Sequence, residues 1–263
     1  MTSRITTTFD RLRAEKRGGL VTYVTAGDPD RDTSAQILIA LARAGADVLE
    51  VGVPFSDPLA DGPVIQRASE RALAAGMTLR GTLDLVRDVR AHVDTPIVLF
   101  TYANPVVRMD AATFATTAKA AGVDGVLILD YPIEEAEPLR HTLVSADLDP
   151  IFLISPTTTD ERILKSSALG RGFLYVISRL GVTGARDDMS HAADDVLGRV
   201  RRQSDLPVAI GFGISRPEHV AEACRTADAA VVGSALVDVI AAQGRDGAAE
   251  RAGEYVRWLK SSL

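Results

Sequence analysis

Eight short runs, apolar on both faces and separated by longer stretches rich in alanine and charge, restrict what this chain can fold into more than any other feature. The runs are LVTYVTA (20–26), VLEVGV (48–53), IVLFTY (97–102), GVLILD (125–130), IFLI (151–154), FLYVIS (173–178), VAIGF (208–212) and AAVVG (229–233). A strand with one wet face alternates apolar and polar residues, whereas a parallel strand covered by helices reads as continuous apolar sequence. Helix-like segments lie between them, among them DTSAQILIALARAG (32–45), AATFATTAKAAG (111–122) and EEAEPLRHTLVSA (134–146). Strand–helix alternation repeated about eight times predicts an α/β fold, a (β/α)8 TIM barrel, with an open doubly wound sheet as the alternative. A further helix near 8–17 precedes the first strand and is placed to cap the barrel floor. With 46% hydrophobic residues the 263-residue chain has a core large enough for such a barrel. No linker or shift in composition marks a boundary, so 1–263 is expected to form a single domain.

Most strand starts are about 21 to 35 residues apart, as a strand–helix unit requires. The step from 48 to 97 is roughly 49, so about 20 extra residues come after the second strand. They include SDPLADGPVIQRASERALAAGMT (56–78), which predicts a long loop stiffened by Pro54, Pro58 and Pro63. Loops after strands build the active-site face of a barrel, so a long loop there points to function. Three glycine-containing turns, GVTGAR (181–186), GFGIS (211–215) and GSA (233–235), come directly after the sixth, seventh and eighth strands. One such turn reads simply as a strand-to-helix connection. Three at successive strand ends favour a phosphate site, because glycine lets backbone N–H groups approach an anion. Ser215 is placed to cap the helix after GFGIS, and Ser234 to donate its hydroxyl or N–H.

Glu50 lies inside the apolar second strand. A buried carboxylate is costly unless paired or used, and the strands offer no Lys or Arg to pair it. Asp57 precedes Pro58 and Asp61 precedes Gly62, both common turn sites; Asp61 could also fold back over the barrel mouth. Asp130 ends the fourth strand and either faces the mouth or caps the next element. Tyr102 and Tyr175 read first as packed rings whose hydroxyls need partners, and Arg179 could pair with phosphate or with a loop carboxylate. His92, His141, His191 and His219 lack metal-ligand spacing and read as surface residues. Cys224 is the single cysteine, which rules out an intramolecular disulfide and fits a reducing compartment. The net charge of −6 argues against binding nucleic acid or an anionic membrane through broad attraction. MTSRITTTFDRLRAEKR at the N-terminus lacks the apolar core of a signal peptide, so a cytoplasmic protein is expected. Two carboxylates beside a phosphate cradle suggest acid–base lyase or isomerase chemistry on a sugar-phosphate-like substrate.

The stretch LEVGVPFSDPLADGPVIQ (49–66) resembles the signature of the tryptophan synthase alpha chain family. So do YVTAGDP (23–29), TYANP (101–105), DYPIEE (130–135), SRLGVTGAR (178–186), GFGIS (211–215) and VGSALV (232–237), in the family's order and near its spacing. The resemblance covers essentially the whole chain. The match at 49–66 is highly specific, while GFGIS and VGSA alone would fit other phosphate-binding barrels. MSHAADD (189–195) replaces a more apolar segment and bears on local helix packing only.

The resemblance implies retro-aldol cleavage of indole-3-glycerol phosphate to indole and glyceraldehyde 3-phosphate, without metal or Schiff base. It implies Glu50 as general acid–base group, Asp61 as acceptor of the indole N–H, and Tyr175 as support beside Glu50. Tyr23, Phe100 and Leu127 would form the indole pocket. Gly184, Gly211, Gly213, Gly233 and Ser234 would hold phosphate, and Thr183 would ride the sixth loop that closes over substrate. It further implies a beta chain as partner, in an alpha2beta2 heterotetramer, contacted through Pro54, Asp57 and Asn104. No cofactor is expected in this chain, since pyridoxal phosphate would belong to the beta chain. A stand-alone lyase releasing free indole, or a weakly active docking and allosteric subunit, are the alternatives; intact Glu50 and Asp61 speak against the second.

Overall fold

The computed structural model describes residues 3–177, 189–211 and 213–263, with only the backbone of 189–193. Eight parallel strands close in sequence order into a barrel: β1 (Gly19–Thr25), β2 (Val48–Gly52), β3 (Ile97–Thr101), β4 (Gly125–Ile128), β5 (Asp149–Ile154), β6 (Leu174–Ile177), β7 (Val208–Gly211) and β8 (Ala229–Val232). Every predicted strand is present, shifted at its ends by a residue or two. The open doubly wound sheet is excluded by the β1–β8 pairing, which sets Gly19 against Ala229.

Twelve α-helices surround the barrel among the described residues. In the first half they are α1 (Arg4–Glu15), α2 (Arg31–Arg43), α3 (Pro63–Ala74), α4 (Leu79–Arg90), α5 (Ala103–Met109) and α6 (Ala111–Ala121). The second half carries α7 (Ala136–Ser145), α8 (Asp160–Leu169), α9 (Met189–Arg201), α10 (Pro217–Thr226), α11 (Ser234–Gln243) and α12 (Ala248–Leu259).

Helix α1 begins at Arg4 rather than near residue 8. Ile5-Thr6-Thr7-Thr8 is β-branched and a weak helix former, but Ser3 caps the helix by accepting the Thr6 N–H, and burial of Ile5, Thr8, Phe9 and Leu12 decides the matter. Ile5, Phe9 and Leu12 pack into the lower barrel against Val21, Val48, Val98, Leu127 and Phe173. Gly19 and Gly125 stand where a Cβ would lie 2.7 Å from Leu12 and 2.8 Å from Ile5, so their bare backbones admit this plug.

The long loop expected after β2 is shorter than its sequence suggested. Residues 53–62 are loop, and the rest of the insertion is largely α3, where Pro63 opens the helix instead of stiffening the loop. Proline suits that position, since its missing N–H would be unsatisfied anyway. Within TYANP, Ala103 starts α5, and Asp130 accepts the Ala103 N–H at 2.6 Å. Asp130 thus ties the start of α5 and does not cap the element that follows it.

At the floor, three aspartates just before even-numbered strands grip the start of the strand before. Asp47, Asp124 and Asp228 donate their N–H to the carbonyls of Leu20, Ile97 and Val208. Their carboxylates accept the N–H of the same residues at 3.0, 2.9 and 2.7 Å. Asp124 is buried and also paired with Arg90 at 2.7 Å and Arg4 at 2.9 Å. Asp124→Ala would strand the half-buried Arg90 and the Ile97 N–H, so we expect a stability loss of about 3 to 5 kcal/mol. Urea unfolding midpoints check this, and catalysis by the folded fraction should persist because the clamp lies at the end opposite the strands' C-terminal mouth.

Candidate active site

Strand side chains alternate between the barrel interior and the helix layer. Val48 faces inward, so Glu50, two residues on, also faces inward, one layer nearer the mouth. It pairs in register with Tyr23 of β1 and Val98 of β3. Glu50 is 1% exposed, and among the described residues neither carboxyl oxygen has a hydrogen-bond partner. Burial, and then the charge of Asp61, push its pKa up to about 8. At neutral pH Glu50 is an uncharged acid with a proton to give.

Asp61 reaches the mouth from the loop before α3. Its carboxylate accepts the Tyr102 hydroxyl at 3.0 Å, and Tyr102 in turn accepts the Ala60 N–H at 3.1 Å. The Tyr102 ring stacks on Phe55 at 5.0 Å. Gln66, one turn into α3, donates its carboxamide to the Asp61 carbonyl at 2.8 Å. The helix itself is tied to the loop after β1 by a two-pronged Arg71–Asp28 ion pair, both contacts 2.7 Å. Burial raises the Asp61 pKa to about 6, against the lowering effect of the Tyr102 hydrogen bond. Gln66 is thus a residue at the site that sequence reasoning does not single out, while Tyr102, a packed ring whose hydroxyl needs a partner, finds that partner in Asp61. The available signal was spacing: Gln66 stands one helical turn after Pro63, and Tyr102 ends the neighbouring strand.

The two carboxyls titrate as a pair, near 6 and 8, so between those values Asp61 is charged and Glu50 is not. If that mixed state is the active one, kcat/KM for the free enzyme should be bell-shaped with limbs near these two values. Tyr102→Phe keeps the ring stack but removes the bond that holds the Asp61 pKa down. It should move only the acid limb upward, which separates Asp61 from titration of a substrate phosphate.

Around the carboxyls lie the aromatic residues expected there. Tyr23 is buried and meets Phe100 edge-on at 5.2 Å, with Val64 and Ile65 of α3 and Val237 of α11 in the same cluster. Leu127 is fully buried beside the Phe100 strand position. Tyr175 comes up from β6; burial first, then Glu50, hold its hydroxyl well above the ordinary phenol range. Two glycines make room for these phenols. A Cβ on Gly52 would lie 2.2 Å from the Tyr23 oxygen and one on Gly211 2.6 Å from that of Tyr175. Gly211 therefore serves Tyr175 directly.

At the same mouth, after β7 and β8, α10 and α11 start without a side-chain cap, after Arg216 and Gly233. The N-termini of α3, α7 and α12 also lack one, whereas α1, α2, α4, α6 and α8 are capped by Ser3, Asp30, Thr78, Asp110 and Thr159. Ser215 is not the cap of α10; its N–H is turned to His219 Nδ1 at 3.4 Å. Gly213 is exposed at φ 67 with open space around its Cβ position, and Ser234 is exposed at the first turn of α11. Open N-termini beside the exposed Gly213 and the half-buried Gly233 suit an anion. Arg179, Thr183 and Gly184 lie outside the described residues. His92 and His141 are exposed and His219 half-buried, and no acidic, cysteine or histidine cluster among the described residues has metal-site geometry. Cys224 sits in α10, where burial pushes its thiol up to about 11. No helix among the described residues is long and apolar enough to cross a membrane.

A closed barrel with a neutral buried acid, a charged carboxylate and open helix N-termini at one mouth defines an acid–base enzyme of the phosphate-binding TIM-barrel class. Comparison with known proteins narrows the class. A family model described as tryptophan synthase alpha chain matches residues 9–262. The tryptophan synthase alpha chain of Methylibium petroleiphilum is 47% identical over 99% of this chain and 96% of its own. That of Acidiphilium cryptum is 50% identical over 91% of this chain and 87% of its own. A solved structure of Mycobacterium tuberculosis tryptophan synthase superposes with TM-score 0.92 at 38% identity, covering 100% of this chain and 99% of that one. The chain belongs to the tryptophan synthase alpha chain family, whose members are lyases of tryptophan biosynthesis.

Proposed function

We propose a division of labour for the family's reaction, in which the alpha subunit cleaves indole-3-glycerol phosphate and passes indole to a beta subunit. The Glu50 carboxylic acid delivers its proton to indole carbon 3. The ring nitrogen takes up the positive charge, and the Asp61 carboxylate accepts its N–H and stabilises that charge. The Glu50 carboxylate then removes the proton of the adjacent glycerol hydroxyl. That oxygen becomes the aldehyde carbonyl, the carbon–carbon bond breaks, and its electrons return to the indole ring. The proton balance closes on Glu50. Products are indole and glyceraldehyde 3-phosphate. Tyr175 packs beside Glu50, Tyr23, Phe100 and Leu127 enclose the indole ring, and Gly213, Gly233 and Ser234 offer N–H or hydroxyl donors to the phosphate, with Thr183 and Gly184 on the sixth loop. The observation that carries the reading is Glu50: 1% exposed, with both oxygens unpartnered among the described residues.

The partner face supports the same reading. Leu59 is 93% exposed on the Asp61 loop and Val107 is 65% exposed on α5, with exposed Asp57 and Asn104 on the same two segments. Pro54 is buried at the root of the loop and shapes it. A beta chain docking there, in an alpha2beta2 assembly, would contact the outer side of the loop whose inner side carries Asp61. Pyridoxal phosphate falls to that partner. The four lysines of this chain support the assignment: Lys16 ends α1, and Lys119, Lys165 and Lys260 bond Asp147, the Glu134 carbonyl and Asp47. We read 1–263 as one cytoplasmic domain.

Steady-state indole release from indole-3-glycerol phosphate tests the proposal. Slow release is expected from this chain alone, with a rise of at least about tenfold when a beta chain docks, equivalent to about 1.4 kcal/mol of differential stabilisation. A chain already working at the rate of the complex would be a stand-alone lyase. No indole under either condition would overturn the proposal.

A further inference from the structure

The loop after β7, which carries Gly213, is fastened from outside the barrel. Tyr255, in the middle of α12, reaches forty positions back in the chain and donates its hydroxyl to the Ser215 carbonyl at 2.7 Å. The Tyr255 ring packs against Trp258, three residues on along the same helix face, with centroids 5.6 Å apart. Packing therefore fixes the ring, and the ring fixes where the hydroxyl is offered. On the other side of the same residue, the Ser215 N–H is turned to His219 Nδ1. Ser215 is thus held at both its N–H and its carbonyl, two residues after the left-handed Gly213.

In a trans peptide the carbonyl and the next residue's N–H point in opposite directions. Drawing the Ser215 carbonyl toward α12 turns the Arg216 N–H away from α12. Arg216 is the residue just before α10, and no side chain caps that helix's N-terminus. A glycine-containing loop without this tie could rotate the 215–216 peptide at little cost, and the donors would then be presented in several orientations. We propose that Tyr255 is a positioning residue for phosphate recognition, holding the Ser215 peptide so that the loop after β7 and the start of α10 keep one donor geometry. The proposal rests on the phosphate reading given under Proposed function. Tyr255 touches no reacting atom, so its contribution falls on binding and not on the chemical step.

The test compares Tyr255→Phe and Gly213→Val with the parent, using the full chain. KM and kcat are measured with indole-3-glycerol phosphate, and inorganic phosphate affinity by a phosphorus NMR titration. Tyr255→Phe keeps the ring and its packing on Trp258 and loses only one hydrogen bond. It should raise KM and weaken inorganic phosphate about three- to tenfold, with kcat within about twofold of the parent. Gly213→Val should weaken both more strongly. Unchanged KM and phosphate affinity in Tyr255→Phe, with Gly213→Val impaired, would overturn the positioning role and leave the phosphate reading intact. A lower melting temperature or kcat with unchanged KM would also overturn it, since Tyr255 would then be merely structural. Normal phosphate binding in both variants, each folded by circular dichroism, would overturn the phosphate reading and the positioning role together.

Discussion

Glu50→Gln is expected to lower kcat for indole release by about 10² to 10⁴, the usual scale for losing acid–base catalysis, with KM nearly unchanged. Glutamine keeps the shape of the side chain and cannot pass a proton. The same substitution should stabilise the fold, with a definite pH dependence. In the unfolded chain Glu50 releases its proton near the ordinary value of 4.5, and in the folded chain near 8. Between those values the folded state binds the extra proton, so the parent loses stability as pH rises through that window. Below 4.5 both states are protonated and the penalty vanishes. The variant should therefore match the parent near pH 4.5 and exceed it increasingly up to about pH 8, by an amount on the order of 5 kcal/mol at most. Urea midpoints across that range, beside steady-state kinetics, read both effects. Turnover within a few-fold of the parent would make Glu50 structural.

Asp61→Asn should cost about 10² to 10³ in kcat, the scale for losing one preorganised group that stabilises developing charge. Asparagine still offers an oxygen to the Tyr102 hydroxyl, which the parent meets at 3.0 Å, so the loop should stay in place. The loss is that of the negative charge facing the indole nitrogen. Tyr102→Phe makes the opposite change, keeping the charge and freeing the side chain. Its kcat should fall far less, while its acid limb moves. Stopped-flow or steady-state indole assays on the two variants distinguish charge from placement; equal losses would mean that Asp61 acts through loop geometry alone.

The barrel was legible because each strand is apolar on both faces, a pattern that survives without knowledge of partners. Glu50 was legible for the same reason, as the one charge that this pattern cannot explain. The features that escaped depend on contacts between residues far apart in sequence. Tyr102 reads as a packed ring until the loop 41 residues earlier brings Asp61 onto its hydroxyl. Ser215 looks like a helix cap, yet His219 takes its N–H and Tyr255 its carbonyl. Pro63 looks like loop punctuation and is the first residue of α3, since proline fits both a stiff loop and a first helical turn. The start of α1 at Arg4 escapes because its β-branched opening is a poor helix former in isolation and is held by burial under the barrel.

The protonation state of Glu50 is the point on which the rest turns. Carbon-13 NMR of chain labelled at glutamate carboxyls, with Glu50→Gln subtracted to isolate the resonance, measures it directly. A signal that remains that of a neutral acid at pH 7 and titrates near 8 is the expected result. A carboxyl that ionises at its ordinary value of about 4.5 would contradict a proton held ready for indole carbon 3.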